Sequence, residues 1–300
     1  MVENDAILIV LLESMGDIIA CEPVARYLKE LYPNRPLYWV TTARFAELVQ
    51  YNPYLKGVIS MYDMEQWVKY RAGLSKTVKI VDLHFRKRQY IMAKGKVYTN
   101  QNDSAITEDN YYNMGGSLLE IMSKTAGLEG LNTSLVFHRR PERFIHSLHR
   151  PYVVFHAVSS TTERDWLKEK WIELINVLAT MGFDGVEVGQ EPTLPLDLPN
   201  YINKTNLLSV HDSADIIADA VCFIGIDSSM AHIANALNVP GIVLLGKYRT
   251  FERYMPYTGN YQKGIKSRIV YASAGKAAAS ISVTEVITAF KNIQSEILHN

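Results

Sequence analysis

Short apolar runs recur along the chain, each closed by a polar break and followed by apolar positions at helical spacing. Ala6 to Leu12 has the length and character of a strand buried on both faces. Glu13-Ser14-Met15-Gly16-Asp17 interrupts it, and Ile18, Cys21, Val24, Leu28 and Leu31 then recur as one helix face, with Pro23 starting or bending that helix. Leu37 to Val40, Val58 to Met61 and Val78 to Leu83 predict three more strands, and Phe45 to Val49 a short helix before the Asn52-Pro53 turn. The N-terminal half is thus repeated β-loop-α, the grammar of an open parallel sheet. Residues 84 to 113 open basic, turn polar and predict a loop-rich excursion. Met114 to Leu128 predicts a helix, and the polar stretch Arg139 to Pro151, with two prolines, a domain linker.

The second half repeats the grammar. Tyr152 to Phe155 and Val186 to Val188 predict strands. Trp171, Leu174, Ile175 and Leu178 form a helix face, Leu207-Leu208 and Ile216-Ile217 short segments, and Val283 to Ile297 a last helix. The clearest unit runs from Val221 to Leu245. An apolar strand to Ile226 meets the polar break Asp227-Ser228-Ser229, Met230, Ile233, Ala234 and Leu237 follow at helical spacing, Asn238 ends the helix, and Ile242 to Leu245 is the next strand. In such a βαβ unit the helix N-terminus points at whatever sits beyond the strand ends. Ser228 and Ser229 with the free N–H groups of the first turn suit a phosphate, and His232 lies one turn further in.

A length of 300 residues favours two domains, read as 1–149 and 150–300, with the last helix free to pack back on the first. The 31 Lys and Arg balance 31 Asp and Glu, which argues against a nucleic-acid partner bound by bulk charge. The two cysteines, Cys21 and Cys222, sit in apolar stretches and read as core. Glu3 and Asp5 precede the first apolar run where a signal peptide would be basic, and no run approaches the ~18 residues of a membrane span. The expectation is a cytoplasmic protein.

Polar residues with chemistry to offer gather in four loops at strand ends. Asp17 reads as a general base or as the N-cap of the following helix. Arg164 reads as a phosphate clamp or a solvated arginine, and Ser159 and Ser160 as phosphate donors or loop decoration. Glu191 could accept from sugar or ribose hydroxyls. Arg86, Lys87 and Arg88 read as a solvated face or as the seat of an anionic acceptor. There is no glycine-rich dinucleotide fingerprint, no P-loop, and no metal-ligand spacing among His, Asp and Glu.

These residues resemble the heptosyltransferase-like glycosyltransferases of family nine. SMGDIIACEPVARYLKELYP is similar to the family's opening, and FAELVQYNPYLKGVI and KIVDL to its next segments. HAVSSTTERDWLKEKWIELI, GIDSSMAHIANALNVPGIVLLG and FERYMPYTG follow in the second half. The resemblance implies an α/β GT-B arrangement, two Rossmann-like domains facing across a cleft. It implies an inverting enzyme without metal or other cofactor that moves a sugar from a nucleotide-diphosphate donor, ADP-heptose above all. It places the base on Asp17, the donor motif on Asp227, Ser228, Ser229 and His232, the loop hydroxyls on Ser159 and Ser160, the phosphate cation on Arg164 and a ribose-contacting acid on Glu191. The acceptor would be a glycan or glycolipid of lipopolysaccharide type, with the inner membrane surface as a candidate peripheral contact. Ser229 replaces the family's glycine and Arg164 its lysine. A non-catalytic nucleotide-sugar binder is the first rival reading, and a Rossmann-type epimerase or dehydrogenase the second.

Overall fold

Strand β1 (Ile7–Val10) is buried at every residue, as an apolar run in the middle of a parallel sheet must be. It belongs to the first of two units, Met1–His138 and Arg139–Asn300, in the computed structural model, which describes residues 2–298. The outermost positions of the two expected domains, 1 and 299–300, lie outside the described residues.

In the first unit, β1 leads to α1 (Met15–Ala20) and α2 (Pro23–Leu31), so Pro23 starts a second helix. Then come β2 (Leu37–Thr42), β3 (Gly57–Met61), α3 (Met64–Ala72) and β4 (Lys79–Asp82). The four strands are parallel in the order β3-β2-β1-β4. Leu8, Val10, Val40, Met61 and Trp67 form one core cluster on this sheet. The apolar spacing does not announce α3; its start is set by Asp63, which accepts from the Gln66 N–H at 2.8 Å.

Residues 84–113 are more ordered than the sequence suggests. They hold an antiparallel hairpin, β5 (Gln89–Ile91) and β6 (Val97–Thr99), in which Tyr90 pairs with Tyr98 and both pack on the core cluster. The helix expected over 114–128 is trimmed to α4 (Leu118–Thr125). Gly115 and Gly116 sit at φ +73° and +96°, outside helical space, and Ser117 caps the shorter helix.

The second unit runs β7 (Tyr152–His156), α5 (Lys168–Thr180), β8 (Asp184–Glu187), β9 (Tyr201–Asn203), α6 (Val210–Ala218), β10 (Cys222–Ile226), α7 (Ser229–Ala236), β11 (Gly241–Leu245), α8 (Gly259–Lys263), β12 (Ser267–Tyr271) and α9 (Val283–Leu298). Its six strands are parallel in the order β12-β11-β10-β7-β8-β9. Where the sequence marks only Ile216-Ile217, a full helix forms, because Ser209 and Asp212 cap its start reciprocally. The stretch read as a linker is bound along that helix. Arg139 pairs with Asp215 at 2.8 Å, Arg140 with Asp212 and Arg143 with Asp219. Helix α9 buries Val286, Phe290 and Ile293 in the core of this unit. Cys21 and Cys222 are both buried free thiols.

Each sheet has one place where neighbouring strands come from distant parts of the sequence, β1 beside β4 and β7 beside β10. Connections leave such a pair in opposite directions, so a crevice opens at the carboxyl ends. The loops at those ends are 11–17 with 83–88 in the first unit, and 157–165 with 227–229 in the second.

Candidate active site

At the second unit's crevice, Asp227 is buried and accepts three hydrogen bonds. Its Oδ2 takes Arg164 Nη1 at 3.1 Å and the Tyr254 hydroxyl at 3.0 Å, and its Oδ1 takes the Tyr257 hydroxyl at 3.1 Å. A buried carboxylate needs such partners. Arg164 is thereby aimed. Its Nη2 donates to Ser160 Oγ at 3.2 Å, and its guanidinium lies 4.8 Å over the Tyr248 ring. Burial works against the charge of Arg164, yet Asp227 and the neighbouring tyrosines hold its pKa above the ordinary arginine value. Its Nε is buried with no hydrogen-bond partner. Burial and Asp227 push the Tyr257 hydroxyl well up, so it stays a donor.

Ser228 occupies the N-cap of α7 with extended backbone, and its Oγ is buried with no hydrogen-bond partner. Ser229 is the first helical residue. His232 is buried one turn in, its ring 4.6 Å from that of Tyr257. The crevice therefore offers a fixed guanidinium, a free hydroxyl oxygen and a helix N-terminus at one end of β10. That set matches a phosphate or diphosphate.

Ser159 and Ser160 differ in role. Ser159 is used by its own loop: its N–H donates to Asp165 at 2.8 Å and its hydroxyl to the Thr161 carbonyl at 2.6 Å. Ser160 stands on the guanidinium of Arg164. Glu191 is exposed on the loop after β8. The buried acid there is Glu187, which ties that loop down through Thr193 and accepts the Tyr201 hydroxyl at 2.5 Å. His156 ends β7. Burial lowers its pKa from the usual 6.5 to about 4, and its Nδ1 has no hydrogen-bond partner. Gly189 lies against it: a Cβ at that position would stand 3.1 Å from the imidazole, and its φ is +144°.

In the first unit, Ser14 takes the N-cap of α1 and Asp17 the third helical position, so the N-cap reading of Asp17 is corrected. Asp17 Oδ2 still accepts from the Ser14 N–H, at 3.4 Å, and takes Arg88 Nη1 at the same distance. Arg88 also reaches Glu13 at 3.6 Å. The loop holding Glu13 to Asp17 is fixed from behind. Leu12 N–H donates to His84 Nε2 at 3.1 Å, so His84 Nδ1 carries the proton it shares with Asp82 at 2.7 Å.

The basic run splits. Arg86 is tied to the backbone around Thr107 through a β-bridge, Lys87 is exposed, and Arg88 is turned onto the two carboxylates. Lys87 and Arg88 share a pocket of about 580 Å³ with Glu13, Gln89, Thr99 and Asp109. Its wall carries three acids, Glu13, Glu108 and Asp109, and the two bases, a mixed lining that can meet hydroxyls as well as an anion.

The segment FERYMPYTG carries part of the resemblance, but the sequence assigned no role to Tyr248, Tyr254 or Tyr257. Their signal was three aromatic hydroxyls within ten residues of a proline- and glycine-bearing loop, a pattern equally common in cores. Among the described residues, no group of three or more His, Cys, Asp or Glu side chains is arranged to hold a metal ion, and no helix is long and apolar enough to cross a membrane.

The profile of glycosyltransferase family 9 (heptosyltransferase) matches residues 123–274, just over half of the chain. Lipopolysaccharide heptosyltransferase 1 of Salmonella typhimurium is 21% identical over 289 residues, covering 80% of this chain and 88% of its own. Among solved structures, a family 9 glycosyl transferase from Veillonella parvula superposes with a TM-score of 0.70 at 16% identity, covering 97% of both chains. TibC from enterotoxigenic E. coli, a dodecameric iron-containing heptosyltransferase solved with ADP-D-beta-D-heptose, gives a TM-score of 0.69 at 14% identity, covering 98% of this chain and 78% of that one. These likenesses show the fold class expected from the sequence, α/β of the GT-B kind with two Rossmann-like units.

Proposed function

The chain belongs to glycosyltransferase family 9, the heptosyltransferase family, and we propose that it moves a heptose-like sugar from an ADP-linked donor to a lipopolysaccharide-type glycan, inverting the anomeric centre without a metal ion. The observation that carries this reading is Arg164 held by Asp227 beside the Ser228 hydroxyl and the first turn of α7. That cluster holds the donor diphosphate, with Ser160, Ser229 and His232 around it and Ser159 shaping the loop. Asp227 acts through Arg164 rather than by touching phosphate. Glu191 meets the ribose from the loop that Glu187 anchors.

Asp17 is the base. It takes the proton of the acceptor hydroxyl as that oxygen bonds to the anomeric carbon. The bond from that carbon to the diphosphate oxygen breaks, and its electron pair leaves with ADP. Attack opposite the leaving group inverts the centre. Charge grows on the diphosphate in the transition state, so a preorganised guanidinium and helix N-terminus stabilise it more there than in the ground state. They supply the positive charge that a divalent cation supplies in other transferases. Lys87 and Arg88, with the tied-down Arg86 behind them, border the acceptor pocket. The reaction belongs in the cytoplasm, where nucleotide-sugar donors are made.

Thermal shift with ADP tests the donor half: stabilisation of the wild type, lost in Arg164→Ala, is the expected result. Equal shifts in both would remove Arg164 from the site. Transfer should persist after exhaustive EDTA treatment; its loss, restored by a metal, would overturn the metal-free step. The rival binding-module reading draws on one observation, that the bonds of Asp17 to Ser14 and Arg88 would serve a purely structural role equally well.

A further inference from the structure

Strand β11 ends at Leu245, and the chain after it reverses tightly at 248–251. Tyr248 N–H donates to the Phe251 carbonyl at 3.0 Å and Phe251 N–H to the Tyr248 carbonyl at 2.8 Å, so Arg249 and Thr250 form a two-residue hairpin turn. The first place of such a turn asks for φ above zero and favours glycine. Here it is Arg249, at φ +51°. A side chain held in that region costs stability and persists where something else requires it. Three contacts tie this arginine to the donor crevice. Its guanidinium lies 5.2 Å from the centre of the Tyr248 ring, and that of Arg164 lies 4.8 Å from the same centre. Its N–H donates to Glu163 Oε2 at 3.3 Å, and Glu163 directly precedes Arg164. Tyr248 in turn packs 5.9 Å from the ring of Tyr254, whose hydroxyl holds Asp227. One tyrosine thus carries two guanidinium groups. Arg164 is largely buried and fixed by Asp227, and Arg249 is exposed. Two cations that close favour an anion with charge for both.

We infer that Arg249 binds the second phosphate of the donor and so makes the site select a nucleoside diphosphate over a monophosphate. This deepens the glycosyltransfer reading and rests on its donor half. One phosphate takes the fixed part of the crevice, on Arg164, the Ser228 hydroxyl and the first turn of α7. The phosphate linked to it brings its own charge, and Arg249 is the further cation on the ring that seats Arg164. A guanidinium already stacked on an aromatic face loses less freedom when it closes on an anion than an unsupported one does. The strained turn has its use here. It sets a cation on Tyr248 at a place where glycine, the relaxed choice, would set nothing.

The test is titration calorimetry of the full chain with ADP and with AMP. The wild type should bind ADP about tenfold more tightly than AMP, or better. Arg249→Gln should weaken ADP about tenfold and leave AMP unchanged. Arg249→Lys keeps the charge without the planar fork and should recover part of the loss. Arg249→Gly should weaken ADP as much as Arg249→Gln does, while its Tm without ligand equals or exceeds that of the wild type, because glycine relaxes the turn. Wild-type ADP affinity in the glutamine and glycine variants would overturn the inference. So would an equal loss for ADP and AMP, or a wild type that binds the two alike. A lower Tm in both variants with ADP affinity intact would make Arg249 a structural residue of its turn and nothing more. Absence of ADP binding by the wild type would instead remove the donor half of the glycosyltransfer reading, and this inference with it.

Discussion

Asp17 carries the sharpest distinction at the scale of single residues. Asparagine keeps its shape and can still accept from the Ser14 N–H, but it cannot take a proton. If Asp17 is the base, Asp17→Asn folds, keeps its ADP thermal shift and loses about 10²- to 10⁴-fold in transfer rate. Unchanged turnover would leave Asp17 as a capping and ion-pairing residue. His156 allows a pH test. Its folded pKa of about 4 lies below the unfolded value of 6.5. Between those values the unfolded chain binds a proton that the folded chain does not, so its contribution to stability is intact above pH 6.5 and is lost as pH falls towards 4. The loss amounts to roughly 3 kcal/mol. Urea unfolding across that window should show the slope, and His156→Gln should flatten it. An equal slope in both would place the titrating group elsewhere.

Among the elements, the loop 248–258 is the one whose task came only from the structure. Its Tyr254 and Tyr257 hydroxyls hold Asp227, and Asp227 holds Arg164. Tyr254→Phe and Tyr257→Phe should each cost about 1.5–3 kcal/mol, the worth of a hydrogen bond to a charged group, and each should weaken ADP binding in titration calorimetry. Stability lost without any change in ADP affinity would separate the tyrosines from the site. Strands and helices were legible where burial imposes a period, as in β1, β10 and α7. They were illegible where ends or long-range pairs decide. Helix α6 depends on a Ser209–Asp212 cap and on arginines some seventy residues away, and hairpin β5–β6 on two tyrosines meeting across a turn. The site was legible as far as phosphate chemistry at a helix start, Asp227 to His232. That Asp227 is saturated by protein donors, that Arg88 turns onto Asp17, and that Ser159 is consumed by its own turn all depend on contacts across the fold.

For the molecule as a whole, both crevices follow from strand order. Asp17 and Arg88 come from loops 11–17 and 83–88 because β1 lies beside β4. Arg164 and Asp227 come together because β7 lies beside β10. Each unit has its own sheet and its own buried cluster, and the proposed donor contacts belong to the second unit alone. Hydrogen exchange with and without ADP should therefore separate them. At a ligand concentration near one hundred times Kd, binding adds about 2.7 kcal/mol to the bound unit. Amides that exchange only when that unit opens should slow about a hundredfold, in β7, β10 and the start of α7. Amides of β1, β2 and β4 should keep their rates, since ADP touches none of the groups that hold them. Equal protection in both units would mean that the nucleotide also draws on the first unit, and the assignment of the donor to Arg164, Ser228 and α7 alone would fall. Protection confined to the first unit would reverse the assignment outright.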